Sequence, residues 1–329
     1  MPTGDKGNEN GPPFISMTED STLHGVTIYY PNQPGNQVPT PFPWTLSLSG
    51  NNVAVTDVEC LNCFNAIRAV GAHRHYIARV QGQPINMGVL VDQTYDVGRI
   101  EDVHWNPWYS NTKEYMSWQL LYGRAFVFAR TDWEYVFNTF AFGYAIGYHF
   151  VASPQGSCNG NFLGIGADMM ANASVQVDSS DAFGILITNG EFTAFVDSHF
   201  GTQHTDSVQV FVNFSNKGSV RFVNSAFWGP SNSIAKLGGS GTTGFADCTF
   251  TQWDDSKQGH YAIEVNGATG NLLVNNCDFQ YEGNQINLGN STTLARAVIT
   301  GNVIKGATRI SGKAHNTQKG LNADSTSTP

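Results

Sequence analysis

The fold class this sequence predicts is all-β: a single-stranded, right-handed parallel β-helix with coils of about 22–30 residues. Three observations carry it. Charged residues make up only 13% of the 329 residues, against 35 Gly and 21 Phe, a profile poor in helix formers and rich in turn and strand residues. A weak internal repeat follows: Phe222-Val223-Asn224-Ser225-Ala226-Phe227, Phe245-Ala246-Asp247-Cys248-Thr249-Phe250, Val274-Asn275-Asn276-Cys277-Asp278-Phe279 and Ile299-Thr300-Gly301-Asn302-Val303-Ile304, whose last residues step by 23, 29 and 25. Finally, no 3.6-residue periodicity accompanies the repeat, which excludes helical and leucine-rich solenoids. A β-sandwich is the remaining alternative for short strands of this kind.

Taken in order, residues 1–13 read as a loop, with Gly4, Gly7, Gly11 and Pro12-Pro13. Residues 14–310 form the β-helix domain. Its first strands are read at Leu23–Tyr30, Val53–Cys60, Tyr76–Gln81 and Arg99–Trp105, aligned on Val58, Val80 and Val103 with steps of 22 and 23 residues. The next unit, Ala125–Val136, aligns Trp133 with Val103 after a step of 30. In each coil apolar residues point inward, and an Asn or Asp at the turn bonds the neighbouring coil, which lies ~4.8 Å along the axis. Cys248 and Cys277 share one column, where buried small apolar residues are the simpler reading than a disulfide. Residues 311–329 are polar without an apolar stripe and read as a flexible tail. Since end coils need covering, the first coil calls for a subunit contact, a preceding segment of a longer protein, or a cap built from residues 1–22.

Composition also limits function. A net charge of -9 offers no basic patch for nucleic acid or an anionic membrane. No apolar run approaches the ~18 residues of a membrane span, and no signal peptide is visible. Of the five cysteines, Cys60-x-x-Cys63 is half of a zinc or redox motif without its other half. His73-Arg74-His75 puts two histidines on one strand face with no third ligand. Nothing here calls for a metal or a cofactor.

Several segments resemble proteins of the pectate-lyase superfamily. These are Gly25-Val26-Thr27-Ile28-Tyr29-Tyr30-Pro31-Asn32-Gln33, Gly71-Ala72-His73-Arg74-His75-Tyr76-Ile77, Asp96-Val97-Gly98-Arg99-Ile100-Glu101-Asp102-Val103-His104 and Gly184-Ile185-Leu186-Ile187-Thr188-Asn189-Gly190. More narrowly, they resemble the bacterial branch related to glycoside hydrolase family 28, over roughly residues 14–310. The resemblance implies a right-handed parallel β-helix, an extracellular or periplasmic location and action on polysaccharides, as hydrolase, lyase, epimerase or phage tailspike. Two departures stand out. The Gly-Asp-Gly segment, helix and first coils that usually open such proteins are missing, so the chain resembles the middle and end of a longer one. The polygalacturonase motifs Asn-x-Asp, Asp-Asp, Gly-His-Gly and Arg-x-Lys are absent as a set, so pectin hydrolysis by that apparatus is not implied.

Laying the coils on steps of 22, 23 and 30 residues gives side-chain columns. Glu59, Gln81, His104 and Glu134 form one; Thr56, Ala78, Glu101 and Thr131 another. Asp57, Arg79, Asp102 and Asp132 form a third, and Ala54, Tyr76, Arg99 and Ala129 a fourth. Column neighbours lie ~5 Å apart and alternate coils ~10 Å, which brackets the ~5 Å and ~6.5–9.5 Å carboxylate separations of retaining and inverting glycosidases. The expected catalytic groups are Glu101, Asp132 and Glu134, with His104 orienting one of them. Trp105, Trp108, Tyr109 and Trp133 are expected to stack on sugar rings, and His75, Arg99 and Arg130 to bond hydroxyls. Asp57, Asp102 and Asp132 have a structural alternative at turns. Asp168, Asp178, Asp181 and Glu191 lie in a loop-rich segment placed to overhang the cleft.

The expected function is therefore hydrolysis of a polysaccharide or oligosaccharide, a neutral glycan rather than a polyuronate because the chain is acidic. A polysaccharide lyase is the first rival, short of the cationic base and subsite it needs. A non-catalytic glycan-binding or tailspike-like β-helix, possibly a homo-oligomer, is the second.

Overall fold

Apolar runs of four to eight residues, broken by Gly, Asn or Asp, are too short to bury a face alone; parallel pairing needs a crossover, and the next turn of the chain supplies the partner. The computed structural model, which describes residues 4–195, 197–200, 206–267, 270–290 and 294–326, shows that solution as a parallel β-helix. Among the described residues a first face of twelve parallel strands runs from Ile15–Met17 to Ile310–Ser311. Two further faces are continuous in the early coils, where single strands such as Ala54–Leu61, Tyr76–Gly82 and Arg99–Trp105 bend once and serve both. From Glu134–Phe137 and Phe140–Phe142 onward each coil supplies two separate strands.

The bend is made by one left-handed residue per coil. Gly25, Asp57, Arg79, Asp102, Asn138, Gly164, Asn189, Asn224, Asp247, Asn276, Gly301 and Leu321 all have φ between 46° and 72°. Most are Gly, Asn or Asp, the residues that tolerate this region at least cost. Their side chains bond along the axis, as Asn224 Nδ2 does to Asn189 Oδ1 at 2.8 Å. Replacing Asn224 by Ala is expected to lower stability by about 1–2 kcal/mol, and by Gly much less; chemical denaturation of the two variants checks this.

Inside, like residues stack on like. Phe192, Phe227, Phe250 and Phe279 are stacked with ring centroids 4.7–5.6 Å apart. The register pairs Phe227 with Phe250, Phe250 with Phe279 and Phe279 with Ile304, as the repeat predicts. Cys248 and Cys277 are buried free thiols in adjacent coils.

Three expectations change. The step after Asp102 is 36 residues, not 30: Asn138 is its column neighbour and bonds its carboxylate. The extra residues hold a helix, Lys113–Tyr122, capped by Thr112. It buries Met116 and Leu120 against Met169 and Ala171 rather than against the coil interior, so the coil's strand spacing lengthens while its register survives. Coil lengths accordingly exceed the expected 22–30 residues. Nor is 311–329 a loose tail throughout, because Asn316–Gly320 and Ala323–Asp324 pair with Arg296–Thr300 and Val303–Ile304 as a last coil. Backbone pairing, which needs no apolar side chain, holds them. At the other end, described residues 4–13 contain no strand and lie beside Pro41 and Trp44 through backbone hydrogen bonds.

Candidate functional site

The corrected register moves the expected residues to four different places. Pairing Tyr135 with Arg99, Phe137 with Glu101 and Phe140 with His104 leaves Thr131, Asp132, Trp133 and Glu134 in the turn before the strand, so they are not column neighbours of Glu101, Asp102, Val103 and His104. Ala129 likewise does not neighbour Arg99.

The first place is a cleft of about 460 Å³ at the turns between the first and second faces. Its wall is the segment Arg130–Trp133, with Tyr95, Asp96 and Val97 from the preceding coil and Asn159, Asp181 and Phe183 from the following ones. Arg130 is the hub. Its guanidinium reaches Asp132 at 2.7 Å and Asp181 at 3.8 Å, donates to the Ser157 carbonyl and lies over the Tyr95 ring. Asn159 donates to Asp132 at 2.9 Å and accepts the Trp133 backbone N–H at 3.0 Å, which fixes both residues. Trp133 adopts a left-handed conformation at φ 56°, unusual for so bulky a residue. That turn presents its indole to solvent, 59% exposed; Tyr95 and Phe183 are also exposed. Three carboxylates thus face one guanidinium within an aromatic rim.

The second place is the interior. Glu134 and His75, expected as a catalytic carboxylate and a hydroxyl-binding group, are fully buried and paired at 3.0 Å. Trp105, expected as a sugar platform, is also fully buried, in the core beside Phe126. None of the three presents a side chain to a ligand at the surface. Arg74 at φ 53° breaks the alternation, so His73 and His75 do not share a face as a strand would require.

The third place is the outside of the second face, where Arg99 is exposed and Glu101 accepts the hydroxyl hydrogen bond of Tyr76. The fourth is the outside of the third face. There His104 lies against Trp108 and Phe140 at 4.5 and 5.0 Å between ring centroids, and Tyr109 against Tyr29 at 5.2 Å. Burial pushes the His104 imidazole below its ordinary value. Trp108 and Tyr109 are about half exposed but face away from the cleft's own turns.

Of the overhanging acids, Asp181 alone lines the cleft. Asp178 binds His149 at 2.7 Å and Asn213 at 3.0 Å outside it; burial opposes ionisation there, yet the His149 and Asn213 hydrogen bonds hold its carboxyl below the usual range. Asp168 is pushed up by burial, and Glu191 is exposed on the third face. Sequence reasoning missed Tyr95, Asn159 and Phe183. The available signal was an aromatic residue in a turn beside Asp, Asn or Gly, where the core has no use for it. No protein-family model matches this chain, and no curated protein sequence does.

Proposed function

We propose that this β-helix is a carbohydrate-active protein that takes a neutral glycan into the cleft and hydrolyses it between Asp132 and Asp181. One observation carries the reading: exposed Trp133, Tyr95 and Phe183 surround a floor of Arg130, Asp132, Asn159 and Asp181. Sugar rings have an apolar face for stacking and hydroxyls for charged and amide partners, so such a site suits them. The excess of carboxylates disfavours a polyuronate. Asp181 would protonate the leaving oxygen and Asp132 act as base or nucleophile.

Binding without turnover is the second reading, favoured by one feature. Both oxygens of Asp132 are already engaged, Oδ2 by Arg130 and Oδ1 by Asn159, as in a carboxylate that shapes a site.

The reading is tested by calorimetric titration of oligosaccharides from neutral polysaccharides. Trp133→Ala is expected to weaken binding roughly tenfold, about 1–2 kcal/mol, at unchanged melting temperature. Equal affinity in the variant, or no neutral glycan bound by the wild type, would remove it.

A further inference from the structure

His75 and Glu134 are buried with no surface of their own, directly behind the cleft wall. Three consecutive turns converge on them. His75 Nδ1 lies 2.9 Å from the Ala72 carbonyl, and its Nε2 lies 3.0 Å from Glu134 Oε1. Glu134 Oε2 accepts the Thr131 hydroxyl at 2.6 Å. The third turn passes through Gly98, where a Cβ would overlap both the imidazole and the carboxylate. Val97, next to Gly98, and Arg130, Asp132 and Trp133, around Thr131, line the cleft.

The hydrogen bonds fix the proton count. The Ala72 carbonyl can only accept, and the Glu134 carboxylate already receives Thr131. Each imidazole nitrogen therefore faces an acceptor, and only the imidazolium donates from both. A neutral ring would set one nitrogen lone pair against an oxygen inside the core, where an unpaired polar contact is costly.

We propose that the His75–Glu134 pair is a proton latch for the cleft: one buried proton holds the Arg130–Glu134 turn in place, and its loss releases Trp133 and Asp132 from their positions. The latch goes beyond the glycan reading and does not depend on what the cleft binds. The surrounding charges agree with it. Burial pushes the imidazole down, but the Glu134 carboxylate and the Ala72 carbonyl outweigh that and hold it above 6.5, while Arg99 opposes them slightly. Cys158 also feels Glu134, together with Arg130, Asp132 and Asp181, but burial pushes its thiol well up, so it carries no charge near neutral pH.

The sign follows. Below 6.5, the ordinary histidine value, the imidazole is charged whether folded or not, and the latch is fully closed. As pH rises through the higher folded value, the proton leaves and the latch opens. The cleft is therefore an acid-to-neutral site that loosens on the alkaline side.

Two NMR readouts on the intact chain test this without any glycan. In protein labelled with 15N-histidine, both His75 ring nitrogens are expected to carry protons at pH 7. In protein carrying 5-fluorotryptophan, with Trp133 picked out from the seven tryptophans by Trp133→Phe, its 19F signal is expected to shift over the pH range where His75 titrates. His75→Gln should abolish that shift. A singly protonated, neutral His75 at pH 7 overturns the latch. So does a Trp133 signal that ignores the His75 titration, or one that shifts alike in His75→Gln. If that variant fails to fold, the two wild-type titrations decide alone.

Discussion

Glu134→Ala is expected to destabilise the protein by about 3–5 kcal/mol, although its carboxylate was expected from sequence to face substrate. The cost is that of leaving a buried imidazolium without its counter-ion and the Thr131 hydroxyl without its acceptor. Asp132→Ala, two residues away but partly exposed and paired at the surface, should cost less than about 1 kcal/mol. Gly98→Ala should resemble Glu134→Ala, because its methyl would enter the space the pair occupies. Urea denaturation near pH 6 compares the three. Combining His75→Gln with Glu134→Gln should cost less than the sum of the single changes, since the pair acts as a unit. Equal, small losses for Glu134→Ala and Asp132→Ala would show that the pair holds nothing.

Turnover should respond in the opposite order. Asp132→Asn and Asp181→Asn are near-isosteric changes in the cleft, and each is expected to lower the hydrolytic rate by about 10²–10⁴-fold with little effect on stability. Glu101→Gln, on another face, is expected to leave the rate unchanged, although its carboxylate was read as catalytic. Initial rates with the best glycan, for variants of matched melting temperature, provide the comparison. A rate loss in Glu101→Gln equal to that in Asp132→Asn would return the chemistry to the second face.

The fold was legible because its signals are local and repeated. Val58, Val80 and Val103 mark three coils whose lengths differ by one residue, and Phe227, Phe250 and Phe279 mark three more. The site was not, because it depends on a single long step. Residues 106–123 hold the helix and its flanks outside the coil, and their length cannot be read from the pattern on either side. Six residues of error carried Glu134 from the interior to a surface column and separated Asp132 from Asn159. Left-handed corners were half legible. Asp57 and Asp102 announced a turn, whereas Arg79 and Trp133 sit in the same conformation with nothing in their chemistry to say so. Arg130, Asp132 and Trp133 were still found, since charged and aromatic residues packed together in a turn serve no core.

The proposed activity is tested most directly by incubating the wild-type protein with a panel of neutral and acidic polysaccharides, reading reducing ends and ultraviolet absorbance together. The account predicts new reducing ends on a neutral glycan, without absorbance, lost in Asp132→Asn and Asp181→Asn. Absorbance from an eliminated product would contradict it in favour of a lyase. No turnover on any glycan, with binding that depends on Trp133, would contradict hydrolysis and leave the cleft a binding site.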